Sequence, residues 1–261
     1  MSIIENKVIG NTLLLTINNA SKRNSMIKGF HDEFQKSIID AEENANIFSI
    51  VVNGAGDFFC AGGDLNALQT RRTMTEEQRY ETLSQLNGTI NSIFNCSKPI
   101  IAAVEGGAAG AGVSLAMACD MVIMSEHSFF SLAYVKIGLT PDGAATKFLS
   151  ETMPRQMLAE MAMLGGKIDA SRLYQIGAIN GISQKGNAMQ TAIELSKNFE
   201  KLPQNSLARI KKLTRHAYGN NFEGQLKLET DFMVVSQGDS ESIEGIDAFL
   251  EKRAPDYKKL R

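Results

Sequence analysis

Tryptophan is absent from this chain of 261 residues, and proline occurs 5 times, cysteine 3 times and histidine 3 times. Each shortage removes a class of protein. Cys60, Cys96 and Cys119 are odd in number and contain no CxxC pair, which argues against a disulfide framework or a zinc ribbon and predicts a reducing, cytoplasmic compartment. His31, His127 and His216 are scattered, so no metal site is expected. A formal net charge of -2 offers no basic surface to nucleic acid or anionic lipid, and neither partner is expected. The opening MSIIENKVIG lacks a basic region followed by an apolar core, the pattern of a secretion signal. Glu105 and several glycines interrupt the stretch that would otherwise resemble a membrane span. Phosphate-binding loops of the form GxxxxGKS/T, or GxGxxG after a strand, are missing as well.

What the chain does have is small residues placed directly after strands. The stretch from Pro99 to Cys119, PIIAAVEGGAAGAGVSLAMAC, is the one the rest is organised around. Ile100 to Val104 is short and apolar and is closed by Glu105-Gly106-Gly107, which predicts a buried strand. Gly110, Ala111 and Gly112 then open a helix whose Val113, Leu115, Ala116 and Met117 suit packing on all sides. The first N–H groups of a helix have no partner within it, and Gly and Ala let a ligand oxygen reach them. Such an entrance can hold developing negative charge, although tight packing of a helix on a sheet explains the same residues. A second turn of this kind, Phe58-Phe59-Cys60-Ala61-Gly62-Gly63-Asp64-Leu65, follows a strand predicted at Ile47 to Val52 and weakens the packing-only account.

The other elements frame these two turns. Ser2 to Ile9 and Thr12 to Asn18 read as strands joined at Gly10-Asn11, and Phe30, Phe34 and Ile38 mark one face of a helix over Met26 to Ala45. Thr70 to Ser97 is polar and predicted helical, with its charges on a solvated face; Met74, Leu83, Leu86 and Phe94 fit helix packing or an apolar pocket lining. Asp120 to Ser125 predicts a strand of alternating burial, and Phe129-Phe130 lies in another. A helix is expected from Pro141, with Asp142 in its first turn. Beyond Pro154 the pattern is almost wholly helical, apart from a short strand over Ile179 to Ile182. Repeated strand and helix units predict an α/β core over 1–202, and Leu202-Pro203-Gln204 marks its boundary with a helical region over 203–261. The latter carries Phe222, Leu226, Phe232, Phe249 and Leu250, more apolar surface than it can bury alone, so it must pack on the core or on another subunit.

Taken together, KRNSM at Lys22 to Met26, FFCAGGDL at Phe58 to Leu65, KPIIAAVEGGAAGAGVSLAMACDMVI at Lys98 to Ile123, GLTPDGAAT at Gly138 to Thr146 and EGIDAFLEKRAPDYK at Glu244 to Lys258 resemble the crotonase (enoyl-CoA hydratase/isomerase) superfamily over essentially the whole chain. The resemblance implies a spiral of β-β-α units closed by a helical trimerisation region, assembled as a homotrimer or a hexamer. It implies an acyl-CoA thioester as substrate, with coenzyme A present only as part of it and no permanently bound cofactor. By position, backbone N–H groups of Gly63 and Ala111 would hold the thioester oxygen, a role that suits charge formed only along the reaction path. Ala61, Asp64, Leu65 and Gly110 belong to the same two motifs. Lys22 and Arg23 resemble the family's basic residues near the nucleotide of coenzyme A, and Lys252 their counterpart from a neighbouring subunit.

Hydratases of this superfamily place two glutamates around a water, and the matching positions here hold Ser114 and Tyr134, which fit pocket lining better than catalysis. Asp142, in the TPDG turn, is the remaining acid and resembles the aspartate of family isomerases. One carboxylate suffices to move a double bond, because it takes a proton from one carbon and returns it to another. The expectation is therefore an acyl-CoA isomerase with Asp142 as base. An enoyl-CoA hydratase with displaced catalytic groups, an acyl-CoA hydrolase or dehalogenase using Asp142 as nucleophile, and a non-catalytic coenzyme A binding homologue are the alternatives. Against the dehalogenase stand the missing Trp and the absence of His between Tyr80 and Lys98.

Overall fold

A computed structural model describes residues 2–260. The chain opens with a hairpin, β1 (Ile4–Ile9) and β2 (Thr12–Ile17), whose turn places Gly10 at φ 60°. It continues through α1 (Phe30–Glu43), β3 (Ser49–Gly54), α2 (Leu65–Thr70) and α3 (Glu76–Asn95). Then come β4 (Ile100–Val104), β5 (Ala108–Ala109), α4 (Ala111–Ala118), β6 (Met121–Ser125) and β7 (Phe129–Ser131). They are followed by α5 (Ala145–Ser150), α6 (Arg155–Leu164), β8 (Lys167–Asp169), α7 (Ala170–Gln175), β9 (Gly181–Ser183) and α8 (Ala188–Ser196). Three helices end the chain: α9 (Gln204–His216), α10 (Phe222–Gln237) and α11 (Ser240–Leu250).

Six strands form one sheet in the order β1-β2-β3-β4-β6-β9, parallel after the opening hairpin, and β5-β7-β8 form a second, smaller sheet. Parallel neighbours require crossovers, and helices supply them on both faces of the sheet. Alternate strand residues therefore feed two cores. Ile50, Val52, Ile100, Ala102 and Val104 face α1, α3 and α4, while Val51, Ile101, Ala103 and Ile123 face Ala188, Ala192 and Ile193 of α8. This corrects the expected alternation at Asp120 to Ser125, because Val122 through Ser125 are all buried in a strand covered on both sides.

Several boundaries also differ from expectation: the strand read at Ile47 to Val52 spans Ser49–Gly54, and the helix read at Thr70 to Ser97 spans Glu76–Asn95. The first helix starts at Phe30 rather than Met26, since Met26 pairs with Gly63, its N–H donating to Gly62 O at 2.8 Å, and Gly29 at φ 90° lets the helix begin only afterwards. The short strand over Ile179 to Ile182 is displaced to Gly181–Ser183, where β6 sets its register. Strands β5 and β8 are 2 and 3 residues long and exist because β7 lies between them, a tertiary cause that leaves no periodicity to read.

Helix α9 is fastened to the core by charge. Asp120 accepts from Lys211 Nζ at 2.8 Å, from Arg215 Nη2 at 2.7 Å and Nε at 3.0 Å, and from the Ile100 N–H at 2.7 Å. Helices α10 and α11 are different, because no residue of α10 is buried and Phe222 and Phe249 are 76% and 83% exposed. Among the described residues no helix is long and apolar enough to cross a membrane, and no cluster of His, Cys, Asp and Glu is placed to hold a metal.

A Cβ on Gly112 would lie 2.2 Å from the Cys60 carbonyl oxygen, whereas one on Gly166 would meet nothing within 4 Å. Gly112→Ala is expected to lose about 1–3 kcal/mol or more of stability, and Gly166→Ala to stay within about 0.5 kcal/mol of wild type, as read from urea midpoints.

Candidate active site

The two small-residue turns follow neighbouring parallel strands, β3 and β4, so both emerge at the same end of the sheet. They are in direct backbone contact. Ala109 N–H donates to Cys60 O at 3.0 Å, and a Cβ on Gly62 would fall 2.7 Å from Ala109 O and 2.9 Å from Ala111 N. Glycine is required here because another backbone occupies the space of a side chain. Gly63 is thereby set beside the entrance of α4. Among the described residues neither the Gly63 nor the Ala111 N–H donates to another group of the chain, and Gly110, at φ 54°, supplies no side-chain cap.

The KRN segment is clipped to the first turn. Arg23 and Asn24 have φ of 50° and 55°, and the Asn24 amide donates to Ala55 O at 2.9 Å and Phe58 O at 2.6 Å. Ala61 N–H donates to Arg23 O at 2.9 Å, and Lys22 pairs with Asp64 at 3.5 Å. Asp64 also caps α2 by accepting from Asn66 N–H, and Leu65 lies exposed at the start of that helix. Lys22, Arg23, Ala61, Gly63, Asp64 and Leu65 thus belong to one rim. Lys252 stands apart, just beyond α11 at φ 58°, with its side chain exposed and its N–H donating to Phe249 O at 3.2 Å.

Asp142 is brought to the same place. The Tyr134 hydroxyl, from a tight turn over Ala133–Ile137, donates to Asp142 Oδ1 at 2.7 Å. The Ser114 hydroxyl, from the first turn of α4, donates to the Asp142 carbonyl at 2.9 Å. A Cβ on Gly110 would lie 3.7 Å from the Tyr134 ring, and one on Gly143 would lie 2.9 Å from Ser114 Cβ and 3.2 Å from Leu86 Cδ2. Ser114, Tyr134 and Asp142 therefore converge on the entrance at Gly110 and Ala111. Of Met74, Leu83, Leu86 and Phe94, Leu86 borders this group, while Phe94 lies against Arg215 and His216 at the other end of α3; Met74 precedes that helix.

The expected helix start at Pro141 is wrong. Helix α5 begins at Ala145, because Gly143 and Ala144 adopt φ of 58° and 60° and the chain cannot enter a right-handed helix through them. Asp142 lies before the helix rather than in its first turn. Burial raises its pKa, the largest influence, while the Tyr134 hydrogen bond and the charge of Arg71 draw it down. Burial and the neighbouring Asp142 charge push the Tyr134 phenol far above the usual tyrosine range, so it remains a neutral donor. Arg71, in a turn over Arg71–Thr73, went unread in the sequence because it sits at the start of a polar stretch with nothing to distinguish it from its charged neighbours. It also helps burial lower the pKa of His31 to about 4, leaving that ring neutral at pH 7. The site therefore combines two bare main-chain donors with one carboxylate of raised basicity. Ser114 is completely buried and its hydroxyl is committed to the Asp142 carbonyl.

The Enoyl-CoA hydratase/isomerase family model matches residues 8–260, and the chain belongs to that family, part of the crotonase superfamily. Among its relatives, the 1,2-epoxyphenylacetyl-CoA isomerase of Escherichia coli (strain K12) is 30% identical over 98% of this chain and 98% of its own. The 2,3-dehydroadipyl-CoA hydratase of the same organism is 28% identical over 94% of each chain. The crystal structure of an enoyl-CoA hydratase from Polaromonas sp. JS666 superposes with a TM-score of 0.93 at 38% identity, covering 97% of this chain and 98% of that one.

A carboxyl group whose pKa is raised by folding favours the native state while protonated and loses that advantage as pH rises through the folded value. Asp142→Asn keeps an acceptor for Tyr134 and removes the buried charge. Its melting temperature at pH 7 is expected to equal or exceed that of wild type, and the difference should close below the carboxylate range; calorimetry across pH checks both halves.

Proposed function

We propose that this protein is a cytoplasmic acyl-CoA isomerase that shifts a double bond within an enoyl-CoA thioester. In this reading the Gly63 and Ala111 N–H groups hold the thioester oxygen. Asp142 removes a proton from the α or γ carbon, the electron pair moves through the conjugated system onto that oxygen, and the proton returns at the other end. The observation that carries the reading is the pairing of Tyr134 with Asp142, which leaves one carboxylate at the head of α4 where water addition in the family's usual manner calls for two. Lys22 and Arg23, on the rim of the first turn, are assigned to the nucleotide end of coenzyme A, with Lys252 joining them from a neighbouring subunit. No cofactor beyond the substrate's own coenzyme A is invoked.

Several relatives are named hydratases, so the decisive experiment separates the two reactions. Wild-type protein incubated with a 3-enoyl-CoA in D₂O is expected to move the double bond without forming a hydroxyacyl product. Asp142→Asn should slow that shift by about 10²–10⁴-fold. Hydroxyacyl-CoA as the main product would replace isomerase with hydratase, and undiminished turnover by the variant would remove Asp142 from the chemistry.

The assembly is read as a homotrimer or hexamer formed through the uncovered apolar faces of α10 and α11, where Phe222, Leu226, Val234, Ile246 and Phe249 are exposed. Leu226→Glu combined with Phe249→Glu should shift the sedimenting species from oligomer to monomer. A wild-type chain that sediments as a monomer would overturn this assignment.

A further inference from the structure

Tyr134 occupies a position from which the resemblance predicts only pocket lining, yet its hydroxyl is the sole side-chain donor to the Asp142 carboxylate among the described residues, at 2.7 Å. Its placement is tightly constrained. The turn carrying it is closed by Leu139 N–H donating to Tyr134 O at 3.0 Å, with Gly138 at φ 72° allowing the reversal, so Tyr134 and the segment leading to Asp142 are held as one unit. The ring packs 3.7 Å from the Cβ position of Gly110, the residue that opens α4. On the other side, Ser114 anchors the Asp142 carbonyl at 2.9 Å, and Gly143 leaves no room between Ser114 and the backbone. The aspartate is thus pinned once through its main chain and once through Oδ1.

We infer that Tyr134 is a positioning residue: its hydroxyl occupies Oδ1 of Asp142, so that Oδ2 alone takes the substrate proton and gives it back. This rests on the isomerase reading above. A carboxylate free to turn about its last bond would offer either oxygen at a range of angles, and misplacement of a base by small distances is costly in rate. A hydrogen bond to a charged acceptor is strong enough to fix the rotation. The choice of a phenol also sets basicity. Burial alone would push the carboxylate toward its protonated, inactive form, whereas a cation in contact with it would make it a poor base. A neutral donor lies between these limits: it opposes the rise that burial causes without cancelling it. The proton balance is simple: the C–H proton goes to Oδ2, the electron pair goes to the dienolate, the same proton returns to the other carbon, and the Tyr134 proton never leaves its oxygen.

The test compares wild type, Tyr134→Phe and protein carrying 3-fluorotyrosine at position 134, a stronger donor. Asp142 ionisation is read directly by ¹³C NMR of aspartate-labelled protein, with Asp142→Asn identifying the resonance, and the pH profile of enoyl-CoA isomerisation is recorded alongside. Loss of the hydroxyl should raise the Asp142 pKa and carry the acidic limb of kcat/KM upward with it, while fluorination should move both downward. In Tyr134→Phe, kcat is expected to fall about tenfold to a hundredfold, the equivalent of one charge-assisted hydrogen bond, with KM nearly unchanged. An Asp142 titration that is the same in all three proteins overturns the proposal, whatever the substrate proves to be. A titration that moves while the activity limb stays fixed overturns it too. If no double bond shifts in any of the proteins, the isomerase reading fails, while the NMR titration still tests the hold of Tyr134 on Asp142.

Discussion

The site depends on how closely two pieces of main chain approach one another. Where the turn after β3 meets the turn after β4, carbonyl and amide groups stand where side chains would be, with Gly62 against Ala109 and Ala111 and Gly112 against Cys60. That contact follows from the sheet: Ile50 pairs with Ile100 in parallel register, so the chain leaves both strands at one end and at one level. Ligand sites in open parallel sheets gather at that end for the same reason. Because the bare donors are backbone groups, side-chain substitution does not delete them, and their access depends instead on the smallness of their neighbours.

Around this contact the protein spends conformational strain where it fixes position. Arg23 and Asn24 are both left-handed, an arrangement tolerable for asparagine and unfavourable for arginine, and the two carbonyls bound by the Asn24 amide compensate for it. Ala144 and Gly143 repeat the pattern on the other side, delaying α5 so that Asp142 sits in irregular chain rather than on a helix. Regular elements carry the sheet and its two cores, while Arg23, Asn24, Gly63, Tyr134 and Asp142 lie on short irregular segments tied down by hydrogen bonds.

How much of this could be read from the residues depended on the range of its cause. The strands Ile100–Val104 and Ser49–Gly54, the bareness of the turns that follow, and the amphipathic helices are local properties, and they stand out in the sequence as apolar runs, glycines and periodicity. The crossovers and the pairing of the two turns came through the family resemblance rather than from any residue pattern. What escaped was non-local. Tyr134 and Asp142 are joined across eight residues of irregular chain, Ser114 reaches Asp142 from another element, and Arg71 acts on Asp142 and His31 by charge alone. A proline followed by an aspartate looks like a helix start, and only the left-handed pair at Gly143 and Ala144 prevents it.

Two aspartates show how the same side chain is turned to opposite ends by its surroundings. Asp120 takes two cations and a backbone N–H, and Lys211, only 7% exposed, would be costly to leave unpaired there, so the cluster serves as a rivet between α9 and the strands β4 and β6. Its charge is met by two cations and a main-chain donor in direct contact. Asp142 is also withdrawn from water, but it receives one neutral hydroxyl and a more distant charge, so burial still dominates its pKa. Incomplete compensation costs folding energy and leaves a carboxylate of raised pKa. The difference between the two lies in the partners: cations in contact tie Asp120 into the fold, while Asp142 meets a single phenol and keeps a pKa raised by burial.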